Sequence, residues 1–166
     1  MIIFLTEGVI DENNLGLYHI KQNHLHSFYL IDDKLDVYAK ISIIEDDIFQ
    51  VMSSEALKGY SLDSSIYDIA LSFIYPKFLE SDGATSDEAT VMYKRWFKNE
   101  NIVKKKLSHD KYDNNSHRHV LNYTYQGSPY DKTTIDKLIE KGENYANNSG
   151  LSKTQVRKNI ITRKIN

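Results

Sequence analysis

Six histidines, the Ser53-Ser54 pair, Glu55 and Tyr93 are the residues of this 166-residue sequence whose types and spacing invite a chemical reading. His117-x-His119 and His24-x-His26 each set two imidazoles on one face of an extended strand, because side chains alternate with period two. His19 and His109 stand alone. A histidine metal site needs a third convergent ligand, and nothing in the sequence marks one, so no metal is expected. Ser53 and Ser54 lack the flanking glycines of a nucleophile elbow. Cysteine is absent, which removes disulfides, thiolate zinc sites and thiol nucleophiles. There is no phosphate-binding P-loop and no dinucleotide fingerprint. Tyr93 shares helical spacing with Ala89 and Trp96; a phenol there either gives a proton to a reacting group or fills a core with its hydroxyl bonded locally. By itself Glu55 reads as a solvated loop acid.

These residues need elements to hold them. Residues 17–22 and 26–31 are aromatic and β-branched, and Asn23-His24 between them predicts a hairpin. Asp32-Asp33-Lys34 makes a polar turn. Residues 35–44 alternate, with Leu35, Val37, Ala39, Ile41 and Ile43 on one face. Glu45-Asp46-Asp47 turns the chain into a further strand over 48–53. The period then changes. Leu62, Ile66, Ile69, Ala70, Phe73 and Ile74 fall at helical spacing over 62–75, with Ser61 or Asp63 as cap and Pro76 as terminator. Residues 77–81 are a short strand. Ser86 caps a second helix whose apolar face is Ala89, Met92, Tyr93 and Trp96. Late strands are expected at 102–107 and 119–125, with a polar loop over 108–118. Thr133 to Tyr145 is helical, and Ser152 caps a final basic helix unless the tail is disordered.

A chain of this length can bury one core, and 40% hydrophobic with 27% charged residues argues against disorder. No apolar run approaches the roughly 18 residues that span a bilayer, and the N-terminus lacks the basic and apolar regions of a secretory signal. A cytoplasmic protein without membrane contact is expected. The net charge of −2 conceals a division. Residues 1–90 carry 16 acids against 5 lysines, a net of −11, and residues 91–166 carry 7 acids against 16 bases, a net of +9. Either the halves neutralise each other across the fold, or the polarity guides an anionic ligand. The basic segments Lys94/Arg95/Lys98, Lys104-Lys105-Lys106 and Lys153 to Lys164 can also meet a nucleic-acid backbone.

From residue 26 to about 125 the order of strands and helices resembles the GNAT-type N-acetyltransferase superfamily. In that family the fourth strand ends in a loop, Arg/Gln-x-x-Gly-x-Gly/Ala, whose N–H groups cradle the coenzyme A pyrophosphate at a helix N-terminus. Alignment of the helix body SIYDIAL puts Lys58 at the Arg/Gln position, Ser61 on the first glycine and Asp63 on the Gly/Ala, with Gly59 at an intervening place. The second motif is Ser86-x-x-Ala89-x-x-Met92-Tyr93-x-x-Trp96-Phe97, similar to the family's Asn-x-x-Ala-x-x-Leu-Tyr. The segment LESDGATSDEA before it is similar to phage-encoded members. Three residues depart from the pattern. Asp63 brings a carboxylate to the phosphates, Ser61 adds a Cβ where glycine is usual, and Trp96-Phe97 replaces Gly-Phe.

The resemblance implies an α/β fold with a mixed, mostly antiparallel central sheet flanked by helices. Residues 1–130 would form that domain and 131–166 a helical, basic C-terminal extension. It implies acetyl-coenzyme A as cosubstrate, an amine acceptor, Tyr93 as the acid that protonates the leaving thiolate, and Glu55 as a general base. Cofactor contacts would come from Ser53, Lys58, Gly59, Tyr60, Ser61, Asp63, Ser64 and Ser86. The alternative is a non-catalytic GNAT-like protein that binds nucleic acid or a host protein through its basic C-terminal half.

Overall fold

The computed structural model describes residues 2–5, 8–11, 14–58, 62–80, 87–106, 112–113, 118–119, 121–125, 130 and 132–165. The chain opens with a two-stranded antiparallel ribbon, β1 (Ile2–Leu5) and β2 (Gly8–Asp11). The main sheet begins with β3 (Gly16–Gln22), which turns back through Asn23 and His24 into β4 (Leu25–Ile31). Asn23 sits at φ 55°, a left-handed conformation that asparagine tolerates.

The next turn is built by Asp32. One carboxylate oxygen accepts from the N–H groups of Lys34 and Asp36 at 2.9 and 3.0 Å, and the other from the Tyr38 hydroxyl at 2.8 Å. This clamp holds Leu35 at φ 62°, an unfavourable region for a branched side chain. The strand expected from residue 35 therefore starts at Val37, as β5 (Val37–Ile44). β6 (Phe49–Ala56) follows and pairs antiparallel with β5. α1 (Leu62–Ile74) crosses back over the sheet to β7 (Leu79–Glu80), parallel to β6. α2 (Asp87–Lys98) leads to β8 (Ile102–Lys106). The segment expected as a loop contains a short antiparallel pair, β9 (Tyr112–Asp113) and β10 (Arg118–His119). β11 (Leu121–Tyr125) then inserts between β7 and β8. The seven-stranded order is β3-β4-β5-β6-β7-β11-β8, antiparallel except at β6/β7. The expected α/β architecture with a mostly antiparallel sheet is what forms.

One face of the sheet lies under the first two helices. Leu17, Phe28, Leu30, Ala39, Ile41, Ile43 and Phe49 pack against Leu62, Ile66, Ala70, Ile74, Met92 and Trp96. The other face carries a smaller cluster of Tyr18, Ile20, Tyr29, Ile31 and Val37.

Two C-terminal helices, α3 (Lys132–Asn147) and α4 (Lys153–Thr162), finish the fold. α3 passes across the edge strand β3, with Ile135 in the first cluster and Ala146 in the second. The crossing is backbone on backbone: an ideal Cβ on Gly16 would stand 2.5 Å from the Gly142 nitrogen, and one on Gly142 would overlap the Leu17 carbonyl. Covering an edge strand in this way removes a template for pairing with another chain. α4 starts with a capping box, Ser152 accepting from Gln155 N–H and Gln155 reaching back to the Ser152 N–H. It buries Val156 and Ile160 on the second face. Arg163 beyond it pairs with Asp36, and Arg95 pairs with Asp68 at 3.0 Å, so both ion pairs join the acidic half to the basic one. No helix among the described residues is long and apolar enough to cross a membrane.

Candidate functional site

β6 is where the sheet changes from antiparallel to parallel pairing. Phe49 pairs with Leu79 and Gln50 with Glu80; among the described residues, β7 gives no partner to the strand from Val51 onward. On its other side β6 stays paired with β5 as far as Ala56. The registers differ by one around Met52, which is an extra residue in β6 and 59% exposed. A bulge of this kind bends a strand and re-aims its side chains. Before it, Phe49 and Val51 share the helix-covered face with Ile43. After it, Ser54 and Ala56 share that face with Ile41 and Ala39. This stretch of β6 lies at the carboxyl end of the parallel strand pair, which is the usual ligand position in an α/β sheet. α1 begins at Leu62 just beyond, and its N-terminal N–H groups carry partial positive charge.

Ser54 is the hydroxyl on this stretch of the helix-covered face. It is exposed, and its Oγ lies 2.7 Å from the Tyr67 hydroxyl of α1. Behind Tyr67 is an aromatic cluster. Tyr67 and Tyr93 meet edge-on with centroids 5.7 Å apart, Tyr93 meets Trp96 at 5.7 Å, and Tyr93 stacks on Tyr123 at 5.8 Å. The Trp96 indole N–H donates to Asp68 at 2.8 Å, and Arg95 contacts both oxygens of the same carboxylate at 3.0 Å. α1 and α2 are therefore fixed to one another by polar contacts at the rim and by rings at the centre.

The residues named from the sequence fall in three places. Tyr93 is 1% exposed, in the second layer behind Tyr67. Glu55 and Ser53 take the opposite face of β6, and Glu55 makes an exposed ion pair with Lys40 at 3.3 Å, a contact worth up to about 1 kcal/mol. Tyr93 and Glu55 are thus separated by the sheet. Lys58 is exposed just after β6, and Ser64 is half-buried in the first turn of α1. Asp63 contributes backbone to that turn. Gly59, Tyr60, Ser61 and Ser86 lie outside the described residues.

Sequence spacing weighed Ser54 only as a nucleophile and did not find Tyr67 or Asp68. Their partners are 13 to 28 residues away, and neither helical nor strand periodicity reports which strand a helix will face. The His24-x-His26 pair also divides differently. His24 is in the hairpin turn, while His26 bonds to His19 of the neighbouring strand. His117 lies outside the described residues, and no three side chains among those described are placed to hold a metal ion together. A separate cavity of about 230 Å³ lies between β3, α3 and α4, lined by Tyr18, Glu143, Asn147, Leu151 and Lys153.

No family model, curated protein or solved structure matches this chain.

Proposed function

We propose that this chain is a cytoplasmic acyl-coenzyme-A-dependent N-acyltransferase, passing an acetyl group from the thioester to an amine. The reading is supported by one observation, the parallel pairing of β6 with β7, with β6 running on to Ala56 shortly before the N-terminus of α1. The resemblance of the sequence to GNAT proteins supplies the chemistry. The pyrophosphate lies at the N–H groups of residues 59–64. Backbone groups of β6 polarise the thioester carbonyl. The amine attacks directly, the carbon–sulfur bond breaks, a hydroxyl protonates the leaving thiolate, and the proton lost by the amine nitrogen restores that hydroxyl. The helix motif points that role to Tyr93; the hydroxyl on the helix-covered face of β6 is Ser54, bonded to Tyr67. The acceptor is an amine of a small molecule, a protein lysine or a modified base.

Thermal denaturation with acetyl-coenzyme A tests the cofactor. A ligand at 100 times its Kd stabilises by about 2.7 kcal/mol, which for a chain of this size raises Tm by roughly 5–10 °C. No shift at millimolar acetyl-coenzyme A would end the acyltransferase reading. Asp63→Gly is expected to tighten binding about fivefold, by removing a like charge worth about 1 kcal/mol near phosphate. An affinity that stays unchanged would mean that the carboxylate turns away from the ligand.

The second reading is a non-catalytic GNAT-like protein that meets nucleic acid or a host protein through its basic half. It is favoured by the burial of Tyr93 and by α4, which exposes Lys153 and Lys158 while burying its apolar side. Binding to nucleic acid that weakens steeply with salt, without a response to acetyl-coenzyme A, would select it.

A further inference from the structure

Beneath the last turn of α1, three titratable side chains are bonded in series. His26 Nε2 is 2.8 Å from Glu45 Oε2, and His26 Nδ1 is 2.9 Å from His19 Nε2. Hairpin register explains the meeting. Lys21 is opposite His26 and His19 opposite Phe28, so His19 and His26 are diagonal neighbours on one face, within reach of long side chains. We propose that Glu45, His26 and His19 form a one-proton relay that pins the β3–β4 hairpin under α1 and lets go of His19 when a second proton arrives.

The bonding fixes the protons. An ionised carboxylate only accepts, so His26 must donate from Nε2, and its Nδ1 in the neutral ring is then an acceptor. His19 must therefore donate from Nε2, which leaves its Nδ1 lone pair free of a proton. A proton that binds there forms one N–H bond. The His19 Nε2–H bond breaks and its proton passes to His26 Nδ1. His19 is left neutral as the other tautomer, and the charge rests on His26 beside Glu45. Every hydrogen bond survives this first step. A second proton cannot be accommodated in the same way, because both facing nitrogens would then be donors on two cations 2.9 Å apart.

The surroundings oppose that second charge. His19 stacks on Phe28 at 4.7 Å and lies 5.1 Å from the tilted ring of Phe73 in α1. His26 faces Phe49 at 5.9 Å. Lys21 comes from β3, and Lys77, after α1, sits 3.8 Å from the second Glu45 oxygen. His24 in the hairpin turn accepts the Glu45 N–H through its carbonyl at 2.7 Å, and Asp46 and Asp47 beyond are exposed. Burial, with the charges of His26 and Lys21, lowers His19 from 6.5 to about 4. Glu45 is lowered chiefly by the hydrogen bond from His26. An unfolded His19 binds its proton near pH 6.5 and the folded one near 4, so the stability from neutral His19 is complete above about 6.5 and is lost as pH falls to 4.

Side-chain ¹⁵N NMR of the full chain from pH 8 to 3.5 reads both tautomer and charge. His19 is expected to change from the Nε2–H to the Nδ1–H tautomer as the three-residue chain takes up its first proton, and to become a cation only near pH 4. A His19 that gains its own charge near 6.5, or never changes tautomer, overturns the relay. His19→Gln keeps a donor to His26 but cannot titrate. Amide protection at residues 18–21 and 72–75 is expected to fall at least tenfold between pH 6 and 4 in the wild type and to stay level in His19→Gln. An equal fall in both proteins, or none in the wild type, also overturns it. Neither outcome depends on acyl transfer.

Discussion

Gly142→Ala is expected to destabilise the protein by about 2–4 kcal/mol, although alanine is the better helix former. In an ordinary helix interior that exchange gains roughly 0.5–1 kcal/mol. Here the added Cβ lands on the carbonyl of Leu17, and the converse change at Gly16 lands on the Gly142 nitrogen. Both neighbours are backbone, so no side chain can swing aside. The helix must lift from β3, which exposes Leu17 and Ile135 and costs what overpacking a core commonly costs, or somewhat more. Urea unfolding should show a lower midpoint, with Tm down by roughly 5–15 °C. Gly150 is the control: a Cβ added there would meet nothing within 4 Å, and its φ of 77° makes Gly150→Ala a backbone penalty of about 1–2 kcal/mol. A Gly142→Ala protein as stable as the wild type would show that α3 does not depend on this contact.

Tyr93 gives the second large effect. Removal of its ring should cost about 3–5 kcal/mol, as for other buried aromatics truncated to alanine, because Tyr67, Trp96 and Tyr123 all lose a partner. Tyr93→Phe keeps the ring and removes one oxygen. If that hydroxyl protonates the leaving sulfur, turnover on an amine acceptor should fall by roughly 10²-fold or more while cofactor affinity holds. A Phe variant with full turnover assigns Tyr93 to packing alone, and Ser54→Ala then becomes the informative change. Stability and rate are read from different atoms of one residue, so the two roles separate cleanly.

The regular parts of the fold were legible because they obey one period each. The alternation places Ala39, Ile41 and Ile43 on one face as expected, while the irregularity opposite Leu30/Ile31 turns Val37, with Leu35, to the second face; the helical stripe from Leu62 to Ile74 is the buried side of α1. The capping serine of α4 was visible because a cap is a local interaction. What escaped was set by contacts between distant segments. Met52 breaks the alternation of β6, so a strand read as ending at 53 continues to Ala56. Gly142 has no side chain to carry a pattern, and only the crossing with Gly16 gives it meaning. His24-x-His26 has strand spacing, yet the turn at Asn23 removes His24 from the strand and register supplies His19 instead. The charge division is partly explained by Asp68–Arg95 and Asp36–Arg163, each an acid of the first half held by a base of the second.

The placement of Trp96 has a practical consequence for any unfolding study. It is the one tryptophan in the chain, fully buried between α1, α2 and β11 with its N–H on Asp68. Intrinsic emission will therefore follow the α1–α2 junction and little else. Detachment of α3 and α4 from β3, or loosening of the β3–β4 hairpin, can proceed with the emission maximum unmoved. Melting curves from fluorescence and from circular dichroism should part company wherever the C-terminal helices leave first, and agreement between them would mark the chain as a single cooperative unit.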